Sequence, residues 1–309
     1  MRTERFSSLR ADLALLGITA IWGATFPAMQ LALRDGVRPL TLVAARFGLA
    51  AALLAAIFSR RAVRTSLRGL GAAVLLGLCL ASGSVLQTVG LRHTTASKSA
   101  FITALYVIIV PLVALLVARV RLRASSLVAV VLAAAGLYLL TMPRAKGFNI
   151  GDMLTLGCAV AFALHILIAE SAAPHHDPVA LTFWQVATTA ATCGMVMAVV
   201  QRPRFPITPW TVSALLLTGV LATALAFAVQ MWAQRETSAT HAAVIFTGEP
   251  VFAAIFAGLI QGEWLSRIGM IGGLLIVGAM LLAQVGARPA RASNVERQRQ
   301  GSSGRLSPG

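Results

Sequence analysis

Apolar stretches of membrane-spanning length follow one another from about residue 11 to about residue 285, parted only by short polar connectors. A helix needs about 20 mostly apolar residues to cross a bilayer core of about 30 Å. Inside lipid every backbone N–H and C=O must be satisfied internally, so spans of this kind fold as helices. The pattern predicts an all-α polytopic membrane protein with spans near residues 11–33, 40–58, 68–90, 97–118, 125–142, 150–170, 178–200, 209–231, 239–260 and 265–285, ten transmembrane helices in all. Composition points the same way: 58% of the 309 residues are hydrophobic, 12% are charged and the mean hydropathy is +0.81. Water is thereby excluded as the solvent for most of the chain.

The formal net charge is +16. Its Lys and Arg residues sit mainly in connectors and at the two ends, where anionic lipid headgroups would meet them, so the charge implies a lipid bilayer and no nucleic-acid partner. Followed through alternating connectors, the larger share lies on the side of the N-terminus. The positive-inside rule then places both termini in the cytoplasm. Residues 1–10 read as a cytoplasmic N-terminus leading into a retained first helix, and residues 286–309 as a disordered cytoplasmic tail. Cys79, Cys158 and Cys193 lie in apolar segments without CxxC spacing and read as small buried side chains. His175, His176 and Asp177 form a short polar turn with no further ligand nearby, so no metal site is expected. No Walker motif is present and no cofactor is implied.

The chain also contains itself twice. LQTVGLRHTTASKSAFITALY (86–106) lies over VQMWAQRETSATHAAVIFTGE (229–249) at a constant offset, pairing Gln87 with Gln230, Arg92 with Arg235, Thr94 with Thr237 and Tyr106 with Glu249. ADLALLG (11–17) matches GDMLTLG (151–157), and Pro39 to Arg46 lies over Pro178 to Gln185. A first repeat at 11–142 and a second at 150–285 would each hold five spans. An odd number of crossings gives the copies opposite orientation, the inverted-repeat plan of many transporters.

Together GITAIWGATFPAMQLAL, TLVAARFGLA, TTASKSAFITALYVIIVPLVALL and SATHAAVIFTGEPVFAAIFAGLIQGEWLS resemble the drug/metabolite transporter superfamily, specifically its EamA family. The resemblance covers roughly residues 10–285. It implies ten helices as two EamA repeats, cytoplasmic termini at a bacterial inner membrane, and a cavity between the halves through which small metabolites, amino acids or xenobiotics are exported. Members often carry a glutamate before the last helix of each half; Glu263 fills that place here, whereas Val120 lies opposite it.

Within the spans, polar side chains are few, and each is a candidate for substrate or coupling work. Glu249 lies deep in the ninth span, where keeping an isolated carboxylate ionised is costly; it serves either as the best candidate for taking up and releasing a proton or as a structural carboxylate accepting bonds from Thr247, a Trp or neighbouring backbone amides. Its neighbour Pro250 removes an intrahelical donor and predicts a bend between Phe246 and Pro250; Pro111 predicts another in the fourth span at a later register, and Pro27 follows IWGATF in the first. Arg46, in the early part of the second span, needs carboxylates, carbonyls or water; it serves either as an anion-attracting group or as a tie between helices, and Gln185 is its counterpart. Trp22 and Phe26 share a helical face and could line a cavity wall, as could Tyr106 and Trp184. His165 is a candidate relay or an interhelical tie, and Gln87 and Gln230 are candidate substrate contacts. Gly269 and Gly273 form a GxxxG pair suited to close packing within one chain or in a homodimer. An uncoupled facilitator or exchanger is the alternative transport reading. A membrane-embedded enzyme would be expected to gather a nucleophile and base or a His/Asp cluster near an interface, which the sparse titratable residues do not supply, so no enzyme is expected. A sensor would need an output domain, for which the polar tail is short, and is the lesser alternative.

Overall fold

The computed structural model describes residues 2–116, 124–141, 149–262, 264 and 266–286. All regular structure among them is helical: α1 (Arg2–Arg34), α2 (Pro39–Val63), α3 (Leu67–Gly90), α4 (Ala96–Thr103), α5 (Tyr106–Leu116), α6 (Ala124–Thr141), α7 (Ile150–Ala172), α8 (Pro178–Val200), α9 (Pro209–Leu216), α10 (Ala226–Ala233), α11 (Ala239–Phe246), α12 (Glu249–Gln261) and α13 (Arg267–Gly286). A π-helical segment, Leu217–Leu225, joins α9 to α10. Eight spans among the described residues are long and apolar enough to cross a membrane, and two shorter apolar helices lie at Leu127–Gly136 and Arg267–Ile276. Glu263 and Val120, and the tail after residue 286, lie outside the described residues.

The surface is inverted relative to a water-soluble protein. Large apolar side chains such as Leu13, Leu75, Val131, Met195, Leu259 and Leu274 face outward, while Thr, Gln, Arg, His and Glu side chains are buried. Lipid is the solvent that such a distribution suits. Many buried hydroxyls are satisfied on their own helix: Thr19, Thr88, Thr155 and Thr218 donate to the carbonyls of Leu15, Ser84, Gly151 and Ala214 at 2.6–2.7 Å. This back-bonding lets a polar residue enter a membrane helix without an outside partner.

Local sequence sets the helix ends. Ser66, Thr95, Thr208 and Ser238 cap α3, α4, α9 and α11 by accepting an amide hydrogen bond in the first turn, and Asn149 with Asp152 forms a capping box on α7. Gly262 ends α12 at φ 71°, a left-handed conformation that glycine adopts without Cβ strain.

Two spans are interrupted. α11 and α12 part at Thr247–Gly248, immediately before the Glu249–Pro250 pair. In the fourth span the chain parts at Ala104–Leu105, well ahead of Pro111, which lies inside α5. The expectation of a later break there is corrected: the two interruptions occupy matching positions in the two copies of the sequence. Proline is therefore not what fixes the first one. Pro27 likewise lies inside a continuous α1.

Helices from the first part of the chain pack chiefly on helices from the second: α6 on α13, α2 on α8, α3 on α7 and α8, and α1 on α12. Glycines allow the closest approaches. A Cβ at Gly77 of α3 would stand 2.6 Å from the Gln185 carbonyl oxygen, and one at Gly90 would stand 2.8 Å from that of Gly151.

Candidate functional site

Between these helices lies a cavity of about 70 Å³. Its wall includes Trp22, Arg46, Gln87, Tyr106, His165, Gln230 and Glu249 of the residues expected from sequence, joined by Thr25, Ser84, Phe162, Thr223, Phe227 and Phe246. Three expected residues lie elsewhere. Phe26 is fully buried in an apolar cluster with Met29 and Leu42. Trp184 stacks edge-on against Phe183 and packs beside Leu76 and Leu181. Gln185 stands behind the wall, 2.7 Å from His165 Nε2 through its Oε1. Helical phase explains the difference for Phe26: the cavity takes Trp22 and Thr25 from α1, and the face bearing Phe26 turns into the core.

Both helix interruptions deliver a side chain to this space. Tyr106 opens α5 and Glu249 opens α12, and the Tyr106 hydroxyl donates to Glu249 Oε2 at 3.3 Å. A carboxylate at the first turn of a helix also meets the positive end of its dipole. Glu249 is 7% exposed and Tyr106 3%. Tyr106 and Trp22 both pack edge-on against Phe246, with ring centroids 6.4 and 5.1 Å apart. The Trp22 indole donates to the Ala222 carbonyl at 2.8 Å, within the π-helical segment. A π turn displaces carbonyls from the regular ladder, and such segments recur at functional places.

Arg46 is buried, with its guanidinium 4.8 Å from the Phe47 ring centroid and Nη1 3.4 Å from the Met29 sulfur. Among the described residues it has no carboxylate partner, and its Nε has no hydrogen-bond partner. Ser84 Oγ, Gln185 Nε2 and Gln230 Oε1 are buried without partners as well. Buried polar atoms are ordinarily paired, so several orphans in and beside one cavity leave hydrogen-bonding capacity unused there. Among the described residues no cluster of His, Cys, Asp or Glu suits a metal ion.

Sequence reading missed two side-chain ties between an acid and a basic residue. Asp12 Oδ1 lies 2.9 Å from His241 Nε2, linking α1 to α11. Lys98 Nζ lies 2.6 Å from Asp152 Oδ2, linking α4 to α7, with Thr94 and the Asn149 amide also donating to Asp152. The signal was available in the repeat, which lays Asp12 over Asp152 and Lys98 over His241.

A bundle of membrane-spanning helices around a buried polar cavity is the architecture of a membrane transporter. Comparison with known proteins gives the family: the model of the EamA-like transporter family matches residues 9–142 and again 149–284. A curated relative from Archaeoglobus fulgidus, described as an uncharacterized transporter, is 32% identical over 282 residues, covering 91% of this chain and 88% of that protein. A second uncharacterized transporter from the same organism is 24% identical over 177 residues, covering 57% of this chain and 62% of its own. A solved crystal structure superposes with a TM-score of 0.73 at 18% identity, covering 90% of this chain and 98% of that one, a likeness of fold. The chain belongs to the EamA-like transporter family, within the drug/metabolite transporter superfamily, and is a multi-pass membrane transporter, not an enzyme.

Proposed function

We propose that the protein exports small amphipathic metabolites, amino acids or xenobiotics across a bacterial inner membrane, with a proton taken up and released at Glu249. In this reading ten helices form two inverted five-helix repeats, 11–142 and 150–285, with both termini in the cytoplasm. The cavity at their junction is the substrate site. The observation that carries it is the make-up of the wall, where residues at matching repeat positions stand together: Trp22 with Phe162, Thr25 with His165, Gln87 with Gln230, and Tyr106 with Glu249. A site shared by two inverted copies can be offered to either side by exchanging their conformations. Arg46 would attract an anionic group, the Trp22, Phe162, Phe227 and Phe246 rings would receive an apolar body, and the two glutamines would bond its polar edge. At about 70 Å³ the cavity has room for a few waters rather than a metabolite, which suits a closed stage of such a cycle.

Reconstitution into proteoliposomes tests this. Flux of a panel of amino acids, other organic anions and cationic dyes is measured with pH gradients imposed and then collapsed. Transport of at least one anionic or zwitterionic solute that accelerates with the gradient in wild type, and ignores it in E249Q, is the expected result. Flux in wild type that is indifferent to the gradient would leave an uncoupled facilitator or exchanger, and absence of flux across the whole panel would remove the substrate assignment.

A further inference from the structure

The two ties, Asp12–His241 and Lys98–Asp152, lie at opposite ends of the bundle. α1 and α11 both begin at one membrane face, so Asp12 and His241 meet near the amino-terminal side. α4 and α7 both begin at the other face, so Lys98 and Asp152 meet there. Each pair joins an aspartate on the first helix of one repeat to a cation-forming residue at the start of the broken helix of the other. The repeat exchanges the pairs, Asp12 for Asp152 and His241 for Lys98. Each also sits on the helix that leads to the cavity: α11 runs to the Thr247–Gly248 break before Glu249, and α4 to the Ala104–Leu105 break before Tyr106.

From this we infer that Asp12–His241 and Lys98–Asp152 are the two latches of alternating access, one per face, and that only the amino-terminal one is released by loss of a proton. The inference rests on the transport reading above. An inverted pair of bundles closes one end while opening the other, so a tie between halves must be made and broken at each end in turn. Both ties are closed here, and the cavity between them is small. The ties differ in chemistry. Lys98 brings a primary amine, and Asp152 gains further bonds from Thr94 Oγ1 at 2.8 Å and from the Asn149 amide at 2.8 Å. Imidazole changes charge near neutrality. With His241 protonated the tie is an ion pair; with the ring neutral it is a hydrogen bond to the Asp12 carboxylate that lacks the attraction of opposite charges. Acidification therefore tightens the amino-terminal latch, and alkalinisation loosens it.

Among the described residues, Asp12 is the side chain bonded to the His241 ring. On α7, Glu170 accepts from the Ala239 amide at the first turn of α11, and Arg235 and Glu236 occupy the turn before it. Arg10 lies on α1 a short way from Asp12, Tyr106 and Tyr138 are the titratable groups of α5 and α6, and Arg267 is at the far end of α13.

The test uses the full-length protein in sealed membrane vesicles of each orientation. S84C supplies a reporter thiol in the cavity, in a background carrying C79A, C158A and C193A. Its labelling by an impermeant maleimide is measured from each face across pH and normalised to a free thiol peptide. Labelling from the amino-terminal face should rise as pH increases through the imidazole range. H241Q should raise it on the order of tenfold at all pH values, and H241K should hold it low and flat with pH, although Glu249 is untouched. D152N should raise labelling from the opposite face alone, and the exchange K98D/D152K should bring it back down, which a merely misfolded variant would not do. Labelling from both faces that none of these changes alters overturns the latches and leaves the transport reading standing. A reporter reached from neither face in any variant overturns both.

Discussion

The Tyr106 hydroxyl donates to the Glu249 carboxylate across 143 residues of sequence, and the same 143-residue step lays residues 86–106 over 229–249 in the repeat. The two residues are thus counterparts that touch. Each opens the helix that follows an interruption, which brings them together from opposite directions. Their contact has a testable weight. Y106F removes one hydrogen bond, worth about 0.5–1.5 kcal/mol, while E249Q removes the ionisable carboxyl itself. On the proton-coupled reading, E249Q abolishes the response of flux to an imposed pH gradient, and Y106F shifts the pH at which flux is half-maximal while retaining the response. Equal pH profiles for wild type and both variants would remove Glu249 from the coupling step.

On the proposed transport reading, Arg46 is held where stability and binding oppose each other. A buried guanidinium without a carboxylate partner is expensive, about 2.5–3.5 kcal/mol by insertion scales. R46Q, which copies the Gln185 of the other half, is expected to raise the melting temperature in detergent while lowering flux of an anionic solute more than tenfold. Loss of stability in R46Q would instead mark Arg46 as a tie between helices.

Trp22 anchors α1 to the π-helical segment through its bond to Ala222. W22F keeps an aromatic ring against Phe246 and Phe227 but leaves that carbonyl without its donor. The expected cost is about 1–3 kcal/mol, read as a fall in melting temperature, with hydrogen exchange increased in residues 217–225. Unchanged protection there would show that the π turns stand without the indole.

Two glycines separate packing from helix propensity. A methyl group at Gly77 meets the Gln185 carbonyl and Thr188, both at 2.6 Å, whereas one at Gly194 meets nothing within 4 Å. G77A is therefore expected to destabilise by about 1–3 kcal/mol through overpacking, and G194A to be neutral or to stabilise by up to about 1 kcal/mol. Thermal denaturation of the two variants side by side decides it.

Hydropathy made the spans legible because lipid imposes one rule on every helix, and the positions of α1 to α13 follow the apolar stretches closely. The repeat made the counterparts legible, Tyr106 with Glu249 among them. What escaped was rotational phase within an almost uniformly apolar helix. Trp22 and Phe26 look equivalent by spacing, yet Trp22 reaches the cavity and Phe26 is sealed in the core. Gln185 likewise serves His165 from behind the wall. The interruption at Ala104–Leu105 had no proline to announce it. Asp12, Lys98, Asp152 and His241 lie near helix ends, where charged residues usually meet headgroups, so their partnership across the bundle could not be told from solvation without coordinates.

The contact between Tyr106 and Glu249 also bears on ancestry. In an assembly of two identical chains related by a twofold axis, a residue on that axis faces its own copy. A glutamate there would confront a second glutamate, and two close carboxylates cannot both stay ionised. A tyrosine would meet a second tyrosine and offer no carboxylate at all. Joining both copies in one gene frees the two positions to differ, so a single acid can be held by a neutral donor. On the two-repeat reading, fusion was the step that made a lone carboxylate at the centre of the protein attainable.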